Sequence, residues 1–135
     1  MKKFETRSFD LEINDNSAVP IYDQIKNAIK LAIFTNKLDD GDKIISIRDL
    51  STRHNINPLT VMKAYNQLEG EGFMRSRRGA GYYVQIDNEK LKQGREEIFK
   101  REVSGFLERI ASLGYKVDDF LKEFDKFVKE RGKEK

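Results

Sequence analysis

Ser46-Ile47-Arg48-Asp49-Leu50-Ser51-Thr52-Arg53-His54-Asn55-Ile56-Asn57-Pro58-Leu59-Thr60-Val61-Met62-Lys63-Ala64-Tyr65-Asn66-Gln67-Leu68 holds two helix starts close together. Asp49 follows Ser46 at the spacing of a capping box, in which a hydroxyl and a carboxylate satisfy the free N–H groups of a first turn. The helix opened there is short, because Asn55 and then Asn57-Pro58 interrupt it within about two turns. Asn57 is a good N-cap and Pro58 a good first helical residue, so the next helix begins at once. Val61, Ala64, Tyr65 and Leu68 give that helix one apolar face, and Gly70 and Gly72 close it. A short helix, a tight turn and a second capped helix have the spacing of a helix-turn-helix.

Outward from this pair, Ile21, Ile25, Ala28, Ile29, Ala32 and Ile33 recur at helical spacing, which predicts an earlier helix over roughly 20–36 with Pro20 in its first turn. Asp15-Asn16-Ser17 precedes it as a turn, and Phe4, Phe9, Leu11 and Ile13 alternate with polar residues as a short extended segment over 4–13. Asp39-Asp40-Gly41-Asp42 reads as a loop. After Gly72, Phe73-Met74-Arg75-Ser76 and Tyr82-Tyr83-Val84-Gln85-Ile86 are strand-like, joined by the basic glycine turn Arg77-Arg78-Gly79-Ala80-Gly81. Tyr82 and Tyr83 alternate there, which predicts one in the core and one exposed. Three helices followed by a hairpin form a winged helix.

Beyond Ile86 the pattern is helical and highly charged to about residue 131, with one break at Leu113-Gly114-Tyr115. Phe99, Val103, Phe106, Ile110 and Leu113 repeat in a heptad-like rhythm that Val117, Leu121, Phe124 and Val128 continue, with Phe120 and Phe127 widening the stripe. Two short helices joined tightly cannot bury stripes this wide against each other alone. The surplus predicts a partner, most simply a second copy of the chain. The candidate dimerisation residues are Phe99, Val103, Phe106, Ile110, Leu113, Phe120, Leu121 and Phe124.

Composition narrows the function. The 135 residues include no cysteine and one histidine, His54, which removes disulfides, thiolate metal sites and His-based relays; no metal site or cofactor is expected. His54 itself reads as a structural or surface residue. Carboxylates are plentiful but lie on charged helix faces with no nucleophile or base beside them, so an enzyme is not expected. No apolar run approaches the ~20 residues of a membrane span, and no apolar stretch follows Met1-Lys2-Lys3, so a cytoplasmic protein without membrane contact is expected. The formal net charge of +3 says little by itself, but residues 43–87 carry 7 basic against 4 acidic residues.

If the helix starting at Pro58 is a recognition helix, its first residues face DNA: Asn57, Leu59, Thr60 and Lys63. Asn and Thr can hydrogen-bond bases or phosphates, Leu59 can touch a thymine methyl, and Lys63 adds a mobile cation. Ser46 and the amides behind it suit a phosphate, and Arg48 suits a phosphate or a guanine. Arg75, Arg77 and Arg78 place cations on the wing, where Gly79 and Gly81 allow close approach of the backbone. The plainer readings are that Ser46 and Asn57 are only caps, that Arg48 pairs with a surface carboxylate, and that Arg77-Arg78 is a solvated hairpin tip.

The runs Val19-Pro20-Ile21-Tyr22-Asp23-Gln24-Ile25 and Leu38-Asp39-Asp40-Gly41-Asp42-Lys43-Ile44-Ile45-Ser46-Ile47-Arg48-Asp49-Leu50 resemble the opening of the GntR family of bacterial transcriptional regulators. Asn57-Pro58-Leu59-Thr60-Val61-Met62-Lys63-Ala64-Tyr65-Asn66-Gln67-Leu68-Glu69-Gly70-Glu71-Gly72 and Gly79-Ala80-Gly81-Tyr82-Tyr83-Val84 continue the likeness in order. The short stretch after Asp87 is similar to the YtrA subfamily, whose C-terminal pair of helices serves dimerisation. The resemblance implies that Ser46, Arg48, Asn57, Leu59, Thr60 and Lys63 contact DNA, with Arg78-Gly79 at the wing tip. Ile45 stands where the family usually has proline, and Pro58-Leu59 where members often have polar or basic residues, so no base preference carries over.

The expected fold is mainly α with a small β-hairpin: a winged helix-turn-helix over 1–87, then a two-helix dimerisation module over 88–135. The expected function is sequence-specific binding of double-stranded DNA at a near-palindromic operator. The resemblance adds a homodimeric repressor of its own operon and of ABC-transporter genes. The alternative is a winged-helix module for protein or RNA binding without sequence-specific DNA contact. A small-molecule effector would need a cavity near the Phe99 and Phe124 stripes; a dry core is the simpler expectation there.

Overall fold

The computed structural model describes residues 11–133. Its elements are α1 (Ile21–Phe34), α2 (Ile47–His54), α3 (Pro58–Gly70), β1 (Met74–Arg77), β2 (Gly81–Val84), α4 (Asn88–Ser112) and α5 (Val117–Lys133). The chain separates into two compact units between Gly94 and Arg95, inside α4.

In the first unit the helices form where the local chemistry directs. Ser46 Oγ accepts the Asp49 N–H at 3.0 Å and starts α2; Asn57 Oδ1 accepts the Leu59 N–H at 2.9 Å and starts α3. Asn55 ends α2 in the left-handed region at φ 53°, a conformation asparagine tolerates better than most residues. α1 has no side-chain cap, since Pro20 is its N-cap residue. Gln24 holds the start of α1 instead: its amide nitrogen donates to the Asn14 and Val19 carbonyls, and its Oε1 accepts the Asn14 N–H.

Ile25, Ile29, Ala32 and Ile33 of α1 meet Val61, Ala64, Tyr65 and Leu68 of α3 in one core, closed by Leu38, Ile44, Leu50, Met74 and Val84. Of the extended segment expected over 4–13, residues 4–10 lie outside the described residues; Leu11 and Ile13 are half-buried against the core and belong to no strand. Tyr65 is fully buried, donates its hydroxyl to the Ile45 carbonyl at 2.7 Å and stacks edge-on against Tyr82. That stacking half-buries Tyr82 while Tyr83 is buried, so neither tyrosine of the pair is exposed as alternation implied.

The wing pairs β1 and β2 antiparallel, Met74 opposite Val84 and Arg77 opposite Gly81. The loop expected at residues 39–42 runs on into the sheet: the Val84 N–H donates to the Asp42 carbonyl at 2.8 Å and the Ile44 N–H to the Tyr82 carbonyl at 2.9 Å. Lys43 thus bridges Tyr83 as an isolated third rung. The first turns of α4 pack on this unit, with Leu91 against the core and Gly94 buried where an added Cβ would overlap the Phe34 ring.

In the second unit, the remainder of α4 and α5 are joined through Gly114, whose φ of 95° favours glycine. α4 ends at Ser112, at the expected break, and its 25 residues make it a long helix rather than one of two short ones. Phe120 meets Phe106 edge-on and stacks on Phe124. No residue of α5 is buried.

Candidate nucleic-acid interface

The side of α3 opposite its core face carries Leu59, Met62, Lys63 and Asn66, all exposed. Asn57 spends its Oδ1 on the Leu59 N–H, so its amide nitrogen is the group left to donate outward. Ser46 is likewise a working cap whose hydroxyl proton can still donate. Thr60 is half-exposed beside Leu59, and Arg48 is exposed in the first turn of α2. Among the described residues Arg48 forms no ion pair.

One buried contact and one exposed contact hold these elements at fixed spacing. The Tyr65 hydroxyl ties α3 to Ile45, the residue before the Ser46 cap, so α3 and the start of α2 share one buried hydrogen bond. Burial and the neighbouring Tyr82 raise the Tyr65 hydroxyl well above its ordinary range, so it stays protonated as a donor. Glu69 of α3 accepts from the Ser76 N–H at 2.9 Å and the Ser76 hydroxyl at 2.8 Å, which pins β1 to the third helix.

Arg75 lies on the exposed edge of β1 and Arg78 and Gly79 form the exposed tip. Arg77 stacks its guanidinium over the Tyr83 ring at 4.7 Å, while Tyr83 donates its hydroxyl to the Ala80 carbonyl at 3.1 Å. Gly79 and Gly81 adopt φ values of 75° and 93°, which lets the turn close with Ala80 N–H bonded to the Arg77 carbonyl.

Three participants were not legible along the chain. Tyr22 of α1 places its ring 3.9 Å from the Lys63 ammonium, a cation–π contact between helices that no spacing rule links. Glu69 carries no signal of its own along the chain that ties it to Ser76. Met62, an apparent interior residue by type, is exposed.

A second polar cluster lies behind the interface. Glu71 bridges Lys26 at 2.6 Å and Lys30 at 2.5 Å, and the Lys90 ammonium donates to the Glu71 carbonyl. Burial alone would raise the Glu71 carboxyl; the hydrogen bonds and charges of Lys26 and Lys30 outweigh it and hold the group below the usual carboxylate range. These contacts fasten α1 and the start of α4 to the turn that ends α3.

A capped helix-turn-helix with an outward third helix and a basic glycine wing defines a winged-helix DNA-binding protein. Residues 21–84 match the family described as bacterial regulatory proteins, gntR family. The chain is 33% identical over 124 residues to the HTH-type transcriptional repressor YtrA of Bacillus subtilis (strain 168), covering 88% of this chain and 95% of that protein. A solved GntR family transcriptional regulator from Listeria monocytogenes superposes with a TM-score of 0.65 at 31% identity, over 84% of this chain and 98% of that one. The AraR DNA-binding domain, solved in complex with operator ORX1, superposes with a TM-score of 0.51 at 26% identity, over 57% of this chain and 99% of that one. The chain belongs to the GntR family and is a DNA-binding transcriptional regulator similar to YtrA. Members of this family are regulators rather than enzymes, and among the described residues no helix is long and apolar enough to cross a membrane.

Proposed function

We propose that the chain is a homodimeric cytoplasmic repressor without catalytic activity, with residues 1–87 reading DNA and 88–135 pairing two copies. The observation that carries the pairing is α5, which buries none of its side chains although Phe120, Leu121, Phe124, Phe127 and Val128 line it. Phe99 on α4 and Leu113 just past its end are 68% and 72% exposed, so the first stripe is uncovered toward both its ends, with Val103 and Ile110 half-buried between them. An apolar groove of about 800 Å³, bounded by Phe99, Val103, Phe106, Ile110, Leu121 and Phe124, runs between the two helices of this unit. A second copy of the same hairpin has the matching apolar surface. A small-molecule effector would compete with that copy for the groove.

Each protomer presents α3 to the major groove, and two linked copies bind a near-palindromic site far more tightly than one through effective concentration. Ser46, Arg48, Asn57, Thr60, Lys63, Arg75, Arg77, Arg78 and Gly79 supply the polar contacts, with Leu59 at the base edges. The relative named a repressor supports blockage of transcription, and the resemblance to its subfamily supports the chain's own operon and ABC-transporter genes as targets.

The test is anisotropy titration of the full chain on the DNA upstream of its own gene and on a shuffled control, near physiological salt. Selective binding with two chains per site is expected, and Arg48→Ala should weaken it about ten-fold without altering mass or helicity. Equal weak binding to both duplexes that vanishes with salt, or equal competition by RNA, would remove the operator function.

A further inference from the structure

We propose that Leu59 and Met62 read thymine C5-methyl groups, so that each half-site carries thymine where these side chains lie. The proposal rests on the docking of α3 in the major groove set out above. Leu59 is 68% exposed and Met62 40% exposed, one helical turn apart on the outward line of α3. Each therefore keeps an exposed apolar surface on the outward side of the helix. Elsewhere in this unit the α3 apolar side chains Val61, Ala64 and Leu68 are fully buried, so the helix has ample core contact without this pair.

The position dictates the partner. The N-terminal residues of a recognition helix meet base edges, and Leu59 is its second residue. The Leu59 amide is already bonded to Asn57 Oδ1, so residue 59 offers DNA only its methyl groups. In the major groove guanine, cytosine and adenine present donors and acceptors, which an apolar side chain would desolvate without replacing a hydrogen bond. Thymine alone presents a methyl group there. Met62 adds an unbranched thioether that adjusts its rotamers to the neighbouring step.

The test begins with selection of binding sequences by the full chain from a randomised duplex pool. Each thymine of the selected duplex is then replaced singly by deoxyuridine, which removes the methyl and nothing else. One or two replacements per half-site should weaken binding about four-fold each, as expected for one buried methyl. Leu59→Ala or Met62→Ala should erase that difference at its own position while the variant still binds the unmodified duplex, a cycle that isolates the pair. A selected sequence indifferent to every deoxyuridine overturns methyl reading and leaves operator binding standing. Sensitivity that survives in both variants overturns it too, since another group then touches the methyl. If Leu59→Ala changes the sedimenting mass instead, the pair faces protein and the proposal fails. Enrichment of no sequence at all removes the operator function together with the proposal.

Discussion

Replacing Tyr65 with Phe removes one oxygen and keeps the ring, so it isolates the hydrogen bond that joins α3 to Ile45, the residue before the Ser46 cap of α2. The hydroxyl lies 2.7 Å from the Ile45 carbonyl, Tyr65 is fully buried and Ile45 is 8% exposed, so water cannot readily replace the lost donor. The ring still stacks on Tyr82 at 5.1 Å, so packing is conserved. A buried acceptor left without its donor costs about 1–2 kcal/mol. For a unit of this size each kcal/mol moves the midpoint by about 4–8 °C, so thermal denaturation followed by circular dichroism should show a drop of roughly 5–15 °C. A second readout separates the hydroxyl from a packing defect. Burial raises the folded Tyr65 above the ordinary tyrosine value of 10.0, so above that pH the unfolded chain loses a proton that the folded chain keeps. The folded state then binds more protons, and stability falls as pH rises above 10.0; below it the contribution is fully present. Tyr65→Phe should flatten that alkaline slope. Unchanged stability at neutral pH with an unchanged alkaline slope would refute the role assigned to this bond.

Glu71→Gln should lower stability at pH 7 by about 1 kcal/mol, a modest figure because the carboxylate is partly exposed. Since Glu71 is held below its ordinary value of 4.5, its contribution is present above that pH and lost as pH falls through the lowered value; urea titrations should show a shallower acid limb in the variant. Gly94→Ala drives a methyl into the Phe34 ring and should cost about 1–3 kcal/mol despite the better helix former, with Phe34→Leu restoring part of it in the double variant. Phe124→Glu should halve the sedimenting mass and weaken operator binding by at least about ten-fold while the first unit melts unchanged. A variant that still sedimented as two chains would place the pairing surface elsewhere.

What could be read along the chain was whatever a few neighbouring residues decide among themselves. Ser46 with Asp49, Asn57 with Pro58 and the glycines of the wing each settle a cap or a turn locally, and the apolar spacing of α1 and α3 marks their inner faces in advance. The uncovered stripe on α5 was legible for the same reason, since its rhythm exceeds what one neighbouring helix can bury. The contacts that position the interface were not legible, because they join residues that no local spacing rule links. Lys63 meets Tyr22 across two helices, Glu69 reaches Ser76 across a turn, and Lys43 joins β2 only because the hairpin folds back on it. Gly94 matters because the Phe34 ring occupies the place of its missing side chain. Leu59 shows the division within one residue. Its place behind a capped proline was written in the sequence, but its exposure followed only once Val61, Ala64, Tyr65 and Leu68 had turned inward to a core built from α1 and the wing. Local preferences are set by the covalent neighbourhood; burial and long-range hydrogen bonds exist only when the chain has closed on itself.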